Sequence, residues 1–160
     1  MKKIIFILVY IISCNFTSAQ VQWAKQIHSN SSSFNEWGNI ISDGNNNYMI
    51  GKFGSELYLP NDTLYASGMS EIFIAKFDSN GNNIWSKTLM DPSNTTEHGE
   101  YGYAAFDSVN QCIYLSGHFV NQITFPGLPT LFGYLDIFLA KMDLNGNFIW
   151  AKKAGGFGLS

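Results

Sequence analysis

An all-β fold built from tandem four-stranded antiparallel units is what this 160-residue sequence predicts. Three observations carry that expectation. A long pattern near the middle of the chain returns without a gap at an offset of 65 residues. Short apolar runs rich in β-branched and aromatic side chains are separated by Asp, Asn, Ser and Gly, the residues that make tight turns. Past the first twenty or so residues, no stretch carries the three-and-four spacing of an amphipathic helix.

In chain order, residues 1–19 are expected to leave before the chain folds. Lys2 and Lys3 precede an unbroken apolar run at 4–12. Thr17-Ser18-Ala19 then offers small side chains where a signal peptidase reads, so Gln20 begins the mature chain. The run is about half of the roughly 20 residues that a membrane-spanning helix needs. Ile11-Ile12-Ser13-Cys14 loosely resembles a bacterial lipobox, which makes lipid anchoring at Cys14 the alternative to release. Secretion or cell-surface display is the expected localisation, with no membrane span.

Residues 20–35 read as the lone terminal strand of a preceding or closing unit plus a loop. Trp23-Ala24-Lys25 matches Trp85-Ser86-Lys87 and Trp150-Ala151-Lys152, at spacings of 62 and 65 residues. Residues 36–90 form the first whole unit, and 91–160 the second unit with the end of the chain. In the first unit, strands are predicted at 39–42 and 48–53 around Asp43-Gly44-Asn45-Asn46-Asn47. Further strands follow at 72–77 and 83–89 around Asp78-Ser79-Asn80-Gly81. The second unit repeats them at 103–106, 112–119, 137–142 and 148–153, the last pair flanking Asp143-Leu144-Asn145-Gly146. Between the second and third strands, Glu56-Leu57-Tyr58-Leu59 and Thr63-Leu64-Tyr65 suggest an extra small hairpin. Ile123-Thr124-Phe125 and Thr130-Leu131-Phe132 suggest its counterpart.

The repeat itself runs from Ile72-Phe73-Ile74-Ala75-Lys76-Phe77-Asp78 through Trp85-Ser86-Lys87. It returns from Ile137-Phe138-Leu139-Ala140-Lys141-Met142-Asp143 through Trp150-Ala151-Lys152. Four antiparallel strands per unit, with a tryptophan in each last strand, suit a β-propeller blade, because one sheet face must bury against the next and an indole fills that gap. The pattern resembles the seven-bladed β-propeller repeat of large secreted bacterial proteins. It is carried by Trp23, Lys25, Asp43, Gly51, Phe53, Glu71, Ile72, Phe73, Ala75, Lys76, Asp78, Gly81 and Trp85. Gly117, Phe119, Asp136, Ile137, Phe138, Ala140, Lys141, Asp143, Gly146 and Trp150 carry the second copy. Glu71 stands where aspartate is usual, and Ser108-Val109 lacks a clean glycine turn. The resemblance implies extracellular or surface display and no established activity. The expected fold class is therefore tandem blades of an incomplete propeller. Two blades with a spare strand do not close a ring, so the chain reads as a fragment whose partners are further blades of the same protein or other copies.

Charge and motifs exclude some functions. Without Lys2 and Lys3, seven lysines face twelve acids, a net of −5, and there is no arginine; nucleic acid is not an expected partner. Cys112 is the only cysteine after the leader and reads as a buried strand thiol. Asp78-Ser79-Asn80-Gly81-Asn82 and Asp143-Leu144-Asn145-Gly146-Asn147 faintly resemble calcium loops, but Leu89 and Ala154 stand where an EF-hand closes with glutamate, which favours plain hairpin turns. Weak calcium binding there stays open, and the metal assignment is unknown. His28, His98 and His118 have no zinc spacing, and His98 sits in the polar loop Thr95-Thr96-Glu97-His98-Gly99-Glu100. No catalytic or cofactor-binding residue is assigned and no cofactor is expected. The leading function is a binding or scaffolding module for a protein or glycan partner, displaying loops at 29–36 and 91–100. The alternatives are a fragment of a propeller enzyme acting on glycans, or of a quinone-cofactor propeller, whose tryptophan-docking repeat somewhat resembles residues 75–85.

Overall fold

The computed structural model describes residues 24–30, 36–68, 70–89 and 102–155, and among them the chain is all strand and turn. The eleven strands are β1 (His28–Ser29), β2 (Glu36–Ser42), β3 (Asn47–Phe53), β4 (Glu56–Leu59), β5 (Asp62–Tyr65), β6 (Glu71–Phe77), β7 (Asn83–Leu89), β8 (Tyr103–Asp107), β9 (Cys112–Ile123), β10 (Leu131–Asp143) and β11 (Phe148–Ala154). They form two four-stranded antiparallel sheets of the same order, β2-β3-β6-β7 and β8-β9-β10-β11, and a small sheet β1-β4-β5. The four expected strands of each unit are present, with ends that extend by up to six residues beyond the predicted ones.

The turns explain the hairpins. Asp78 Oδ1 accepts the backbone N–H groups of Asn80 and Asn82, each at 2.8 Å, and Gly81 takes φ 76°. Asp143 does the same for Asn145 and Asn147, with Gly146 at φ 84°. At the same end of each sheet, in the hairpin between its first two strands, Gly44 supplies the positive φ in unit one. In unit two, where glycine is missing, Gln111 adopts φ 50° instead.

The connection between the second and third strands takes two forms. In unit one it is a separate hairpin, β4 and β5, paired with β1 through His28↔Tyr58 and Ser29↔Leu57. In unit two, no separate hairpin forms. Strands β9 and β10 run on, pairing Leu131↔Ile123, Phe132↔Gln122 and Gly133↔Asn121 across a register shift before Asp136. Asn121 and Leu135 reach positive φ, 64° and 52°, to keep the ladder going past that shift. The expected small hairpin is absorbed into the main sheet.

Alternation along the strands gives each sheet two faces. Ile72, Ile74, Tyr48, Ile50 and Leu89 from one face of unit one share a core with Phe138, Ala140, Met142, Ile113 and Leu115 from the opposite face of unit two. The sheets therefore stack face to back. Asn39 ties them together. Its Nδ2 donates to the Ala104 carbonyl at 2.8 Å and its Oδ1 accepts the Ala104 N–H at 2.9 Å. Gly38, at the β2 bulge, permits this approach, because a Cβ there would lie 2.3 Å from the Gly102 carbonyl oxygen. The other face of unit one, with Phe53, Phe73, Ala75 and Phe77, is covered in part by Leu57, Leu59 and Leu64 of the small hairpin and by Ile27. Of the expected terminal strand, Trp23 lies outside the described residues. Residues 24–27 carry no ladder, and pairing begins at His28.

Candidate functional site

Each unit carries the same three-residue cluster on the same face. Strand register sets Lys76 beside both Tyr48 and Trp85 in unit one, and Lys141 beside Tyr114 and Trp150 in unit two. The Tyr48 and Trp85 ring centroids are 6.0 Å apart at 56°, and those of Tyr114 and Trp150 are 6.1 Å apart at 54°. Lys76 Nζ lies 5.3 Å from the Tyr48 centroid, and Lys141 Nζ lies 5.6 Å from that of Tyr114. Such an ammonium over a phenol face is held electrostatically by the ring quadrupole.

In unit one the cluster is engaged. Lys76 Nζ and Trp85 Nε1 both donate to the Leu144 carbonyl, at 3.0 and 3.3 Å, in the Asp143 turn of unit two. The turn fits against the indole because Gly146 has no side chain; a Cβ there would lie 3.3 Å from Trp85 Cδ2 and 2.8 Å from Lys87 Cε. The Tyr–Lys–Trp arrangement was not legible as a cluster in the sequence. Its only sign was that Lys and Trp recur at fixed places in the repeat.

The four turn aspartates spend their oxygens on amides. Partial burial raises the Asp43 carboxyl, but the N–H groups of Asn46 and Asn45, the Tyr48 hydroxyl and the Asn46 amide outweigh it and hold it down to about 2. The Asn82 side chain and backbone lower Asp78, and those of Asn110 lower Asp107. Burial opposes the lowering of Asp143, which Asn147 and Asn145 secure. Burial first, then Asp43, pushes the Tyr48 hydroxyl well above the ordinary phenol value. These contacts account for the Asp-x-Asn-Gly sequences as turn chemistry. Among the described residues, no three His, Cys, Asp or Glu side chains group to hold a metal.

Other expected positions scatter. Cys112 is a free, buried thiol at the start of β9. His28 stacks on Tyr58, with ring centroids 4.7 Å apart, while His118 lies opposite Ile137 on unit two. The leader, Cys14, His98 and the 91–100 loop lie outside the described residues. The motif acids Glu71 and Asp136 are both buried. Glu71 accepts from the Ser67 backbone and hydroxyl, and Asp136 pairs with Lys153 at 2.8 Å.

An apolar depression of about 550 Å³ opens on the far face of unit one, lined by Lys25, Ile27, Ile40, Met49, Phe77 and Gly81. Lys25 draws the Asp78 carboxyl down by charge, as Lys87 does for Asp143. Among the described residues, no helix is long and apolar enough to cross a membrane. No family pattern and no curated protein matches this chain.

Proposed function

We propose that the chain is an extracellular or cell-surface β-propeller repeat module that binds or scaffolds a protein or glycan partner and performs no catalysis. One observation carries this reading. Two four-stranded sheets of identical order stack face to back, and the same apolar face that unit one buries is open on unit two. A stack of that kind is extended by adding units, and it displays its inter-strand loops at the rims. Charge supports a non-nucleic-acid partner, since acids outnumber lysines and arginine is absent. The leader at 1–19 supports export, with the Cys14 lipid anchor as the second route.

The test is expression with the native leader, followed by N-terminal sequencing and fractionation. A free Gln20 start supports soluble export, and a blocked Cys14 retained with membranes supports the anchor. A cytoplasmic chain that keeps Met1 contradicts the reading. Glycan-array and pull-down measurements on the exported product then name the partner class. Turnover of a glycan by that product would overturn the non-catalytic part.

A further inference from the structure

The open face of unit two has an intramolecular precedent. Ile137 and Leu139 are 57% and 45% exposed, while Ile72 and Ile74, at the same places in unit one, are 5% and 0%. Beside them, Tyr114, Lys141 and Trp150 hold the geometry that Tyr48, Lys76 and Trp85 hold when engaged. In the engaged copy, two N–H donors converge on one carbonyl, that of the second residue in an Asp-x-Asn-Gly turn. The ring and ammonium geometry of unit two thus already matches that of the engaged copy, so little ordering cost remains to be met on binding.

We propose that Lys141 and Trp150 form a receptor for the Asp-x-Asn-Gly turn of a further repeat unit, whose apolar sheet face covers Ile137 and Leu139. The occupant is a four-stranded unit of this same repeat, with a Phe-x-Ala-x-Met or Phe-x-Ala-x-Phe strand facing inward and glycine in the turn. Lys141 Nζ and Trp150 Nε1 both donate to the carbonyl of the residue after the turn aspartate. Glycine is favoured because this turn position takes a positive φ, 84° at Gly146, and because a Cβ there would crowd the indole, at 3.3 Å from Trp85 in the engaged copy. Selectivity follows from both parts: a flat apolar surface alone does not supply the carbonyl, and a turn alone does not cover the two aliphatic side chains. The proposal deepens the stacking reading and is independent of which external ligand the module binds.

A chain in which residues 91–155 follow residue 155 once more keeps the 65-residue period and supplies such a unit. The reporter is Leu139→Cys in the original unit, with Cys14→Ser and every Cys112→Ala. Maleimide labelling of that thiol is expected to be roughly tenfold slower in the extended chain than in the unextended one, equivalent to about 1.4 kcal/mol. Lys141→Met with Trp150→Phe, which removes both donors and keeps the apolar surface, is expected to restore most of the rate. Protection that survives this double substitution overturns the turn receptor and leaves the stacking reading intact. An unchanged rate in the extended chain, whether the added unit is folded elsewhere or unfolded, overturns both. Protection in the unextended chain that grows with protein concentration assigns the face to a second copy and also overturns the proposal.

Discussion

Ile74 and Leu139 hold the same position in two sheets of the same order, yet one is sealed and the other stands nearly half open. The same holds for Ile72 against Ile137. Trp85 packs against the shared core and shares the Leu144 carbonyl with Lys76, while Trp150 keeps the ring geometry of Trp85 beside exposed neighbours. The residues of the two units are nearly alike, so the difference is the presence of a sheet on one side. In repeat architectures, stability separates into what a unit supplies and what its neighbour supplies. This chain contains both cases.

Paired substitutions at equivalent positions separate the covered face from the open one. The largest effect is expected for Ile74→Ala, about 3 kcal/mol lost in urea unfolding, against under about 1 kcal/mol for Leu139→Ala. Equal losses would mean that the two faces are equally covered. Trp85→Ala is expected to cost about 3 kcal/mol through lost packing and the bond to Leu144, and Trp150→Ala about 1 kcal/mol. A reversed order would place the stacked face on the wrong sheet. Asn39→Ala strips both the N–H and the carbonyl of Ala104 of their partner, at an expected cost of about 2 kcal/mol. Tyr103→Ala, on the exposed counterpart strand, should move the urea midpoint little.

The smallest effect concerns acid. Asp43 ionises at about 2 in the folded chain against an ordinary 3.8, so the unfolded chain binds more protons between those values. Its contribution is therefore complete above about pH 5 and is lost as pH falls through about 2. Asp43→Asn should flatten that part of the stability profile. An unaltered slope in the Asp43 variant would mean that the carboxylate is not what the turn amides hold.

Much of the fold was legible because its determinants are local. Asp78 and Asp143 mark their hairpins by chemistry that acts within a few residues, and the alternation around Ala75 and Ala140 fixes the strands between them. What was not legible depends on distant neighbours. Nothing near Ile123 or Leu131 shows that β9 and β10 run on through a bulge, because that requires Asn121 and Leu135 to reach positive φ against a partner strand. Gly38 looks like an ordinary glycine until Gly102 is placed against it. Lys76 and Lys141 resemble solvated charges until strand register sets each over a tyrosine. The candidate site was therefore visible as recurring residues, while its geometry was not.

Thiol reactivity compares the two faces most directly. With Cys14 and Cys112 replaced, Ile74→Cys and Leu139→Cys chains are labelled under native conditions and again in urea. Fast native labelling at 139 with protection at 74, converging on one rate in urea, is the expected result. Equal native rates at the two positions would contradict the stacking of unit one on unit two.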